Sequence, residues 1–231
     1  MGLSSLLQDL AGKDKAREAA PEVAFLQVLI ANVCFIGKPG GKAARVLVDA
    51  GLPDTAGLIA RAAERLFGRE SRPAAIILTH GHFDHVGGVT DLASRWDVTV
   101  YAHEQEMPYL TGQSSSPPPA PGASGGLMAR ISPLYPRQPI DLGSRLQALP
   151  ANGKVPSLPG WRWIHTPGHT PGHISLFRDE DRVLIAGDAF ITVKQKSTAE
   201  VAAQNKEVHG PPVYFTTDWR LAEKSVKQLQ A

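Results

Sequence analysis

Thr79-His80-Gly81-His82-Phe83-Asp84-His85 concentrates ligating side chains: positions 80–85 hold three of the chain's eight histidines and a carboxylate. Imidazole nitrogen and carboxylate oxygen are the donors that suit zinc and similar divalent metals. Short tracts this rich in histidine read as metal-binding. The preceding residues, Ala74-Ala75-Ile76-Ile77-Leu78, form an apolar run of strand length. Side chains on a tight loop at a strand end can converge on one point. Two other stretches share this plan: His169, in the turn after Trp161-Arg162-Trp163-Ile164-His165, and Asp188, after Val183-Leu184-Ile185-Ala186-Gly187. Ends of neighbouring strands lie close together, so the three loops can meet at one rim. This donor set has no thiolate, which suits a hydrolytic site with an open position better than a closed structural zinc site.

Periodicity and turn chemistry indicate the elements that must position these residues. Residues 1–22 read as a polar, partly helical lead-in ended by Pro21, and 23–36 as a strand with Asn32 marking a bulge. Residues 37–42 are turn-forming. Arg45-Val46-Leu47-Val48 is the return strand of a hairpin, ending at Asp49-Ala50-Gly51. Asp54 is placed to cap a helix that runs to Phe67, with Leu58, Ile59, Ala62, Ala63, Leu66 and Phe67 on one stripe. Gly68 suits the helix stop. After the histidine loop come a helix over 90–95, a strand over 98–102 and a short helix over 103–110. Residues 111–160 hold ten of the nineteen prolines and seven glycines. Such a stretch reads as an active-site lid, with Met128, Leu134 and Tyr135 as its apolar contacts, or as a disordered insertion. Strands resume at 161–165, 174–177 and 183–186. Asp218 caps a last helix with Leu221, Ala222, Val226 and Leu229 inward. Short strands broken by helices predict a mixed α/β layered fold in a single domain over 1–231.

Composition narrows the function classes. A chain of 231 residues, 42% hydrophobic and 20% charged, can bury a sizeable globular core. A net charge of +2 is too small to argue for nucleic acid or a membrane surface. No basic stripe interleaved with aromatics appears. No apolar run reaches membrane-spanning length. Asp9, Lys13, Asp14, Lys15, Arg17 and Glu18 interrupt any signal-peptide core. The lone Cys34 has no internal disulfide partner and reads as a small core residue. The expectation is a cytoplasmic enzyme with a small-molecule substrate.

These residues together resemble the metallo-β-lactamase superfamily. His80, His82, Asp84 and His85 match its His-x-His-x-Asp-His signature. Residues 166–173 resemble its second histidine motif, Gly187-Asp188 its Gly-Asp, and Asp49-Ala50-Gly51 its early Asp-x-Gly. The resemblance implies an α/β fold, a four-layer αββα sandwich with a metal site at one edge of the two sheets. It implies that His80, His82 and His169 hold a first metal, that Asp84 and His85 hold a second, and that Asp188 bridges them. Asp49 would orient a ligand. His173 is expected to be a buried structural histidine, and His103 and His165 polar satellites. Asp188, where many antibiotic-destroying members carry Cys, implies a glyoxalase II-like or lactonase-like branch.

One departure from the family pattern bears on the second metal. Members usually supply another histidine from a strand beyond the last helix, whereas here no histidine follows His209 and the chain stops at Ala231. The resemblance then implies loss of the C-terminal strand or a truncated chain. The second site would be weak, water-completed, or completed by a neighbouring chain in a homodimer. His209-Gly210 resembles the missing motif but precedes the last helix. The implied cofactor is one or two Zn2+, with iron or manganese as alternatives. The implied activity is hydrolysis of an ester, thioester, lactone or amide by metal-bound hydroxide. Asp84 would be a ligand of the second metal or the base that orients the water. Two other readings stay open: an iron-dependent sulfur or redox enzyme of the same superfamily, and a non-catalytic protein with a partial metal site.

Overall fold

Alternate side chains of one central sheet feed two separate cores in the computed structural model, which describes residues 15–40, 44–69, 71–118, 139–193 and 206–230. The sheet orders β1 (Arg17–Ala20), β2 (Val23–Val28), β3 (Ala31–Ile36), β4 (Val46–Val48), β5 (Ala75–Ile77), β6 (Thr99–Ala102) and β7 (Leu146–Ala148) side by side. The joins up to β4 are antiparallel and those from β4 to β7 are parallel. A second sheet orders β10 (Val183–Ile185), β9 (Ile174–Arg178) and β8 (Trp161–His165), all antiparallel. β11 (Ile191–Val193) pairs with β12 (Lys206–His209). The helices are α1 (Ala56–Phe67), α2 (Phe83–Val86), α3 (Val89–Trp96), α4 (Met107–Leu110) and α5 (Trp219–Gln230).

The period of two along each strand divides the apolar residues. Val33, Phe35, Leu47, Ile76 and Val100 face the buried side of α1 and α3. Ile36, Val46, Val48, Ala75 and Ile77 face Trp161, Ile174 and Leu176 of the second sheet. β4 and β5 are therefore buried on both faces, which is why they read as unbroken apolar runs. On α1, Leu58, Ile59 and Phe67 are buried, each stabilising by about 1.5–3 kcal/mol. α5 buries Ala222 and Ser225 against the far side. The layers run α, β, β, α, as the resemblance implied.

Strand direction creates the rim. Parallel β4, β5 and β6 end on the same side, so the segments beginning at Asp49, Leu78 and His103 emerge together. In the second sheet, β8 and β10 end, and β9 begins, at that same side. A backbone bond from Ile174 N to Thr79 O, 3.0 Å, joins the two sheets there.

Several expectations change. Residues 17–20 form an edge strand, where a helical lead-in was expected. Residues 23–36 are a hairpin: Leu29 turns the chain at φ 56°, and Asn32 pairs regularly with Gln27 with no bulge. An apolar Leu-Ile pair at the tip hid that turn. α1 begins one residue later than expected, after Thr55, whose hydroxyl donates to Leu52 O at 2.7 Å; Asp54 lies outside the helix at φ 64°. Leu221 is 38% exposed because the inward stripe of α5 runs through Ala222 and Ser225. β7 joins the main sheet, and Val155 and Leu158 are buried between the sheets, so residues 146–158 belong to the layers. Met128, Leu134 and Tyr135 lie outside the described residues. Among the described residues no helix is long and apolar enough to cross a membrane.

Candidate metal centre

The rim brings the three loops together. Thr79 and His80 leave β5 fully buried, and the one-turn helix α2 carries Asp84 and His85. His82 Nδ1 stands 3.0 Å from His80 Nε2 and 2.9 Å from His169 Nε2. His80, His85 and Asp188 make a second group, and within each group the ligating atoms lie within 4.8 Å of one another. The oxygens of Asp188 face two different histidines: Oδ2 is 3.4 Å from His169 Nε2, and Oδ1 is 3.5 Å from His85 Nε2. Asp84 Oδ2 lies 3.9 Å from His85 Nε2. Donors about 2.0–2.1 Å from a tetrahedral zinc lie about 3.3 Å apart, so these spacings fit a metal.

Neighbouring acceptors set the imidazole tautomers. Asp49 Oδ1 accepts from Thr79 N at 2.7 Å, and both its oxygens lie within 3.0 Å of Thr79 Oγ1. A carboxylate can only accept, so the threonine hydroxyl donates to it and accepts from His80 Nδ1, 3.0 Å away. The lone pair of His80 Nε2 is thereby turned to the centre. Thr216 works alike: its hydroxyl donates to Pro212 O at 2.8 Å and faces His169 Nδ1 at 3.3 Å. His85 Nδ1 donates directly to Asp49 Oδ2 at 2.8 Å. Asp49 thus orients one histidine directly and another through a hydroxyl. Its backbone, at φ 62°, turns the Asp49-Ala50-Gly51 loop back to the centre, where Ala50 N donates to His85 O at 2.7 Å. His173, buried at the start of β9, accepts from Asp188 N at 2.9 Å through Nε2. Its Nδ1 therefore carries the proton, donated to Thr166 Oγ1 at 2.8 Å.

Burial, followed by the charges of neighbouring histidines, holds the pKa of His80 and His169 well below the usual imidazole range. Burial and then the His85 charge lower His82 and His173 to about 3. Neutral imidazole is the ligating form. Burial would lower His85 too, but Asp188, Asp49 and Asp84 outweigh it and raise the pKa to about 10. Burial raises Asp188 to about 6 against the pull of His85.

A pH profile follows for metal-free protein. Between about pH 3 and 6.5 the unfolded chain binds protons at His82 and His173 that the folded state refuses, so stability falls as pH drops through that window. His85 acts oppositely: its contribution is complete below about 6.5 and is lost as pH rises through about 10. The urea midpoint of chelator-treated protein is expected to peak near neutral pH. A flat midpoint across this range would contradict these environments.

Other candidates lie elsewhere. His103 and His165 stack with ring centroids 4.2 Å apart, and His165 Nε2 donates to Pro171 O at 2.8 Å; neither is in a donor group. His209 pairs in β12 opposite Ile191 and is also in neither group. Cys34 is half-buried rather than a full core residue; burial and then Asp49 push its thiol up to about 12, which makes it a poor nucleophile. Thr79, Thr216 and Glu106 escaped sequence reading. Glu106 is fully buried, its pKa pushed up by burial against three donated hydrogen bonds. The available signal was a carboxylate close behind a strand that ends at the rim.

A four-layer αββα sandwich with a histidine–aspartate centre at the shared rim defines a class of metal-binding proteins. The family model of the metallo-beta-lactamase superfamily matches residues 26–231, and the chain belongs to that superfamily. It is 54% identical over 212 residues to the probable metallo-hydrolase YflN of Bacillus subtilis (strain 168), spanning 92% of this chain and 80% of the relative. It is 27% identical over 142 residues to the hydroxyacylglutathione hydrolase GloC of Haemophilus influenzae, 61% of this chain and 60% of that one. Among solved structures, TTHA1623 in a di-iron-bound form is similar with a TM-score of 0.56 and 27% identity, over 89% of this chain and 83% of that one.

Proposed function

We propose that the protein is a metal-dependent hydrolase that cleaves an ester, thioester, lactone or amide of a small molecule. The observation that carries this reading is Asp188, whose two oxygens each face a histidine at the 3.4 and 3.5 Å noted above. His80, His82 and His169 would hold one divalent metal, Asp84 and His85 a second, with Asp188 between them. Neutral imidazoles and carboxylates suit zinc, and iron or manganese also. A metal bound there supplies a water of lowered pKa and polarises the substrate carbonyl.

The chain's own residues do the remaining work. Where the second metal is absent, Asp84, its side chain 18% exposed and its pKa raised by burial, can instead orient a water and hold its proton. His85 stays fixed by Asp49 while it presents Nε2. A cleft of about 480 Å³ opens beside Asp84, His85 and Asp188, walled by Val23, Phe25, Val183 and Ile185. No lysine or arginine is among its described lining residues. A substrate whose non-reacting part is neutral and apolar fits that lining.

The test is a panel of aryl esters, thioesters and lactones, assayed with chelator-treated protein and again after zinc or manganese is restored. Hydrolysis is expected only with metal. Activity that survives in metal-free protein overturns the mechanism, and uniform inactivity supports a non-catalytic role. The iron reading has one observation in its favour, the di-iron-bound form of TTHA1623. Near-stoichiometric iron in protein purified without added metal, together with oxygen consumption, would decide for it.

A further inference from the structure

Glu106 belongs to neither donor group, yet its carboxylate grips both loops that carry the three-histidine group. Oε2 accepts from Gly81 N at 2.8 Å, and Gly81 stands between His80 and His82. Oε1 accepts from Gly172 N at 2.8 Å and from the Thr170 hydroxyl at 2.7 Å, and Thr170 follows His169. The residue sits on a short 3-10 turn, Glu104–Glu106, that leaves the same rim after β6. That turn is capped by His103 Nδ1, which accepts from Gln105 N at 3.2 Å.

We propose that Glu106 is the positioning residue that sets the separation of the His82 and His169 loops, and with it the donor geometry of the three-histidine site. The proposal rests on the metal reading above.

Two physical arguments support it. With the tautomers set by Thr79 and Thr216, His80 Nε2 and His169 Nε2 both present lone pairs toward the same point. His82 Nδ1, 3.0 and 2.9 Å from those two nitrogens, has only one proton to share between them and gives it up on ligating a metal, so the arrangement has to be held from outside. An ionised carboxylate is the side chain that can accept three donated hydrogen bonds at once from two directions. The loops are also shaped to receive it. A Cβ on Gly172 would lie 2.8 Å from Glu106 Oε1 and Cγ, and a Cβ on Gly81 would lie 3.0 Å from Oε2. Glycine at these two places lets backbone N–H groups close on the carboxylate. Asp84 and His85 ride on α2, where Asp49 holds His85, so removing Glu106 should act on one metal site more than the other.

The test titrates chelator-treated full-length protein with Co2+, and with Zn2+ against a competing chelator. The three-nitrogen site is followed by the intense visible bands of tetrahedral Co2+. In Glu106→Gln the amide turns an NH2 toward one of the backbone N–H donors and breaks the grip. The three-histidine step is expected to weaken about 10–100-fold, the usual cost of losing an orienting partner. The Asp84–His85 step is expected to move by less than about threefold. Thr170→Val, which removes a single donor, should weaken the same step severalfold, and Thr170→Ser should restore it; this pair decides the matter if Glu106→Gln does not fold. Two wild-type steps that both shift equally in the variants, or a first step that does not shift, overturn the role of Glu106 alone. Wild-type protein that takes up no Co2+ or Zn2+ overturns the metal reading and this one together.

Discussion

Replacing His169 by alanine is expected to abolish metal uptake at the three-histidine site and to lower hydrolysis by about a thousandfold or more. His80 and His82 come from one loop, whereas His169 is the single nitrogen the second sheet adds to their group. Without it two nitrogens remain, fewer than the three protein ligands of a catalytic zinc site. The same change removes the partner facing Asp188 Oδ2 at 3.4 Å, so that carboxylate also loses its fixed orientation. The expected loss exceeds the roughly 10–100-fold that follows removal of an orienting partner. The fold should survive. Cavity formation and the loss of the His169–Thr216 contact cost about 1–3 kcal/mol, a fraction of a domain's stability, and the Thr216 hydroxyl keeps its bond to Pro212 O. Elemental analysis, with thermal denaturation as the control, measures both. A His169→Ala protein with wild-type metal content and rate would falsify the assignment of His169 as a ligand.

Gly168→Ala is expected to have a large effect on stability. Gly168 lies at φ 132°, a backbone region that side-chain-bearing residues avoid. A Cβ there would sit 2.2 Å from Ala222 N and 2.5 Å from Ala222 Cα, both backbone atoms of α5. α5 cannot yield locally. Thr217 N and Asp218 N donate to Gly168 O at 3.0 and 2.9 Å, and Ser225 Oγ donates to Pro167 O at 2.7 Å. Strained backbone and forced overpacking together cost about 4 kcal/mol. Because His169 is the next residue, the displaced loop should also weaken metal binding. Urea denaturation of metal-free protein, followed by metal titration of whatever remains folded, separates the two effects. An unfolding free energy within about 0.5 kcal/mol of wild type, the ordinary range of a surface substitution, would show that this contact is not as tight as described.

What the sequence determined was local. A fully buried strand must read as an unbroken apolar run, so β5 and the loop behind it were visible in Ala74 to His85. α1 was visible because a 3.6-residue stripe cannot hide, although its first residue was misplaced by one where Thr55, not Asp54, precedes the helix. The resemblance, carried by a few short motifs, then supplied a layered architecture that periodicity could not. Tertiary structure decided the rest. The Leu29-Ile30 turn has no turn-forming residue to announce it, because closing the β2–β3 hairpin is driven by pairing along both strands. β7 was hidden in a proline-rich stretch because an edge strand with half-exposed or exposed side chains has no apolar pattern. Thr79 reaches Asp49 across neighbouring strands, Thr216 reaches His169 from 47 residues away, and Glu106 joins loops that meet only once both sheets share a rim. His103-Glu104-Gln105-Glu106 holds two carboxylates two positions apart; Glu104 is exposed and Glu106 wholly buried, and only the packing of the loops around them separates the two. Sequence spacing names the donors, whereas the partners that aim them are chosen by distances between segments far apart along the chain.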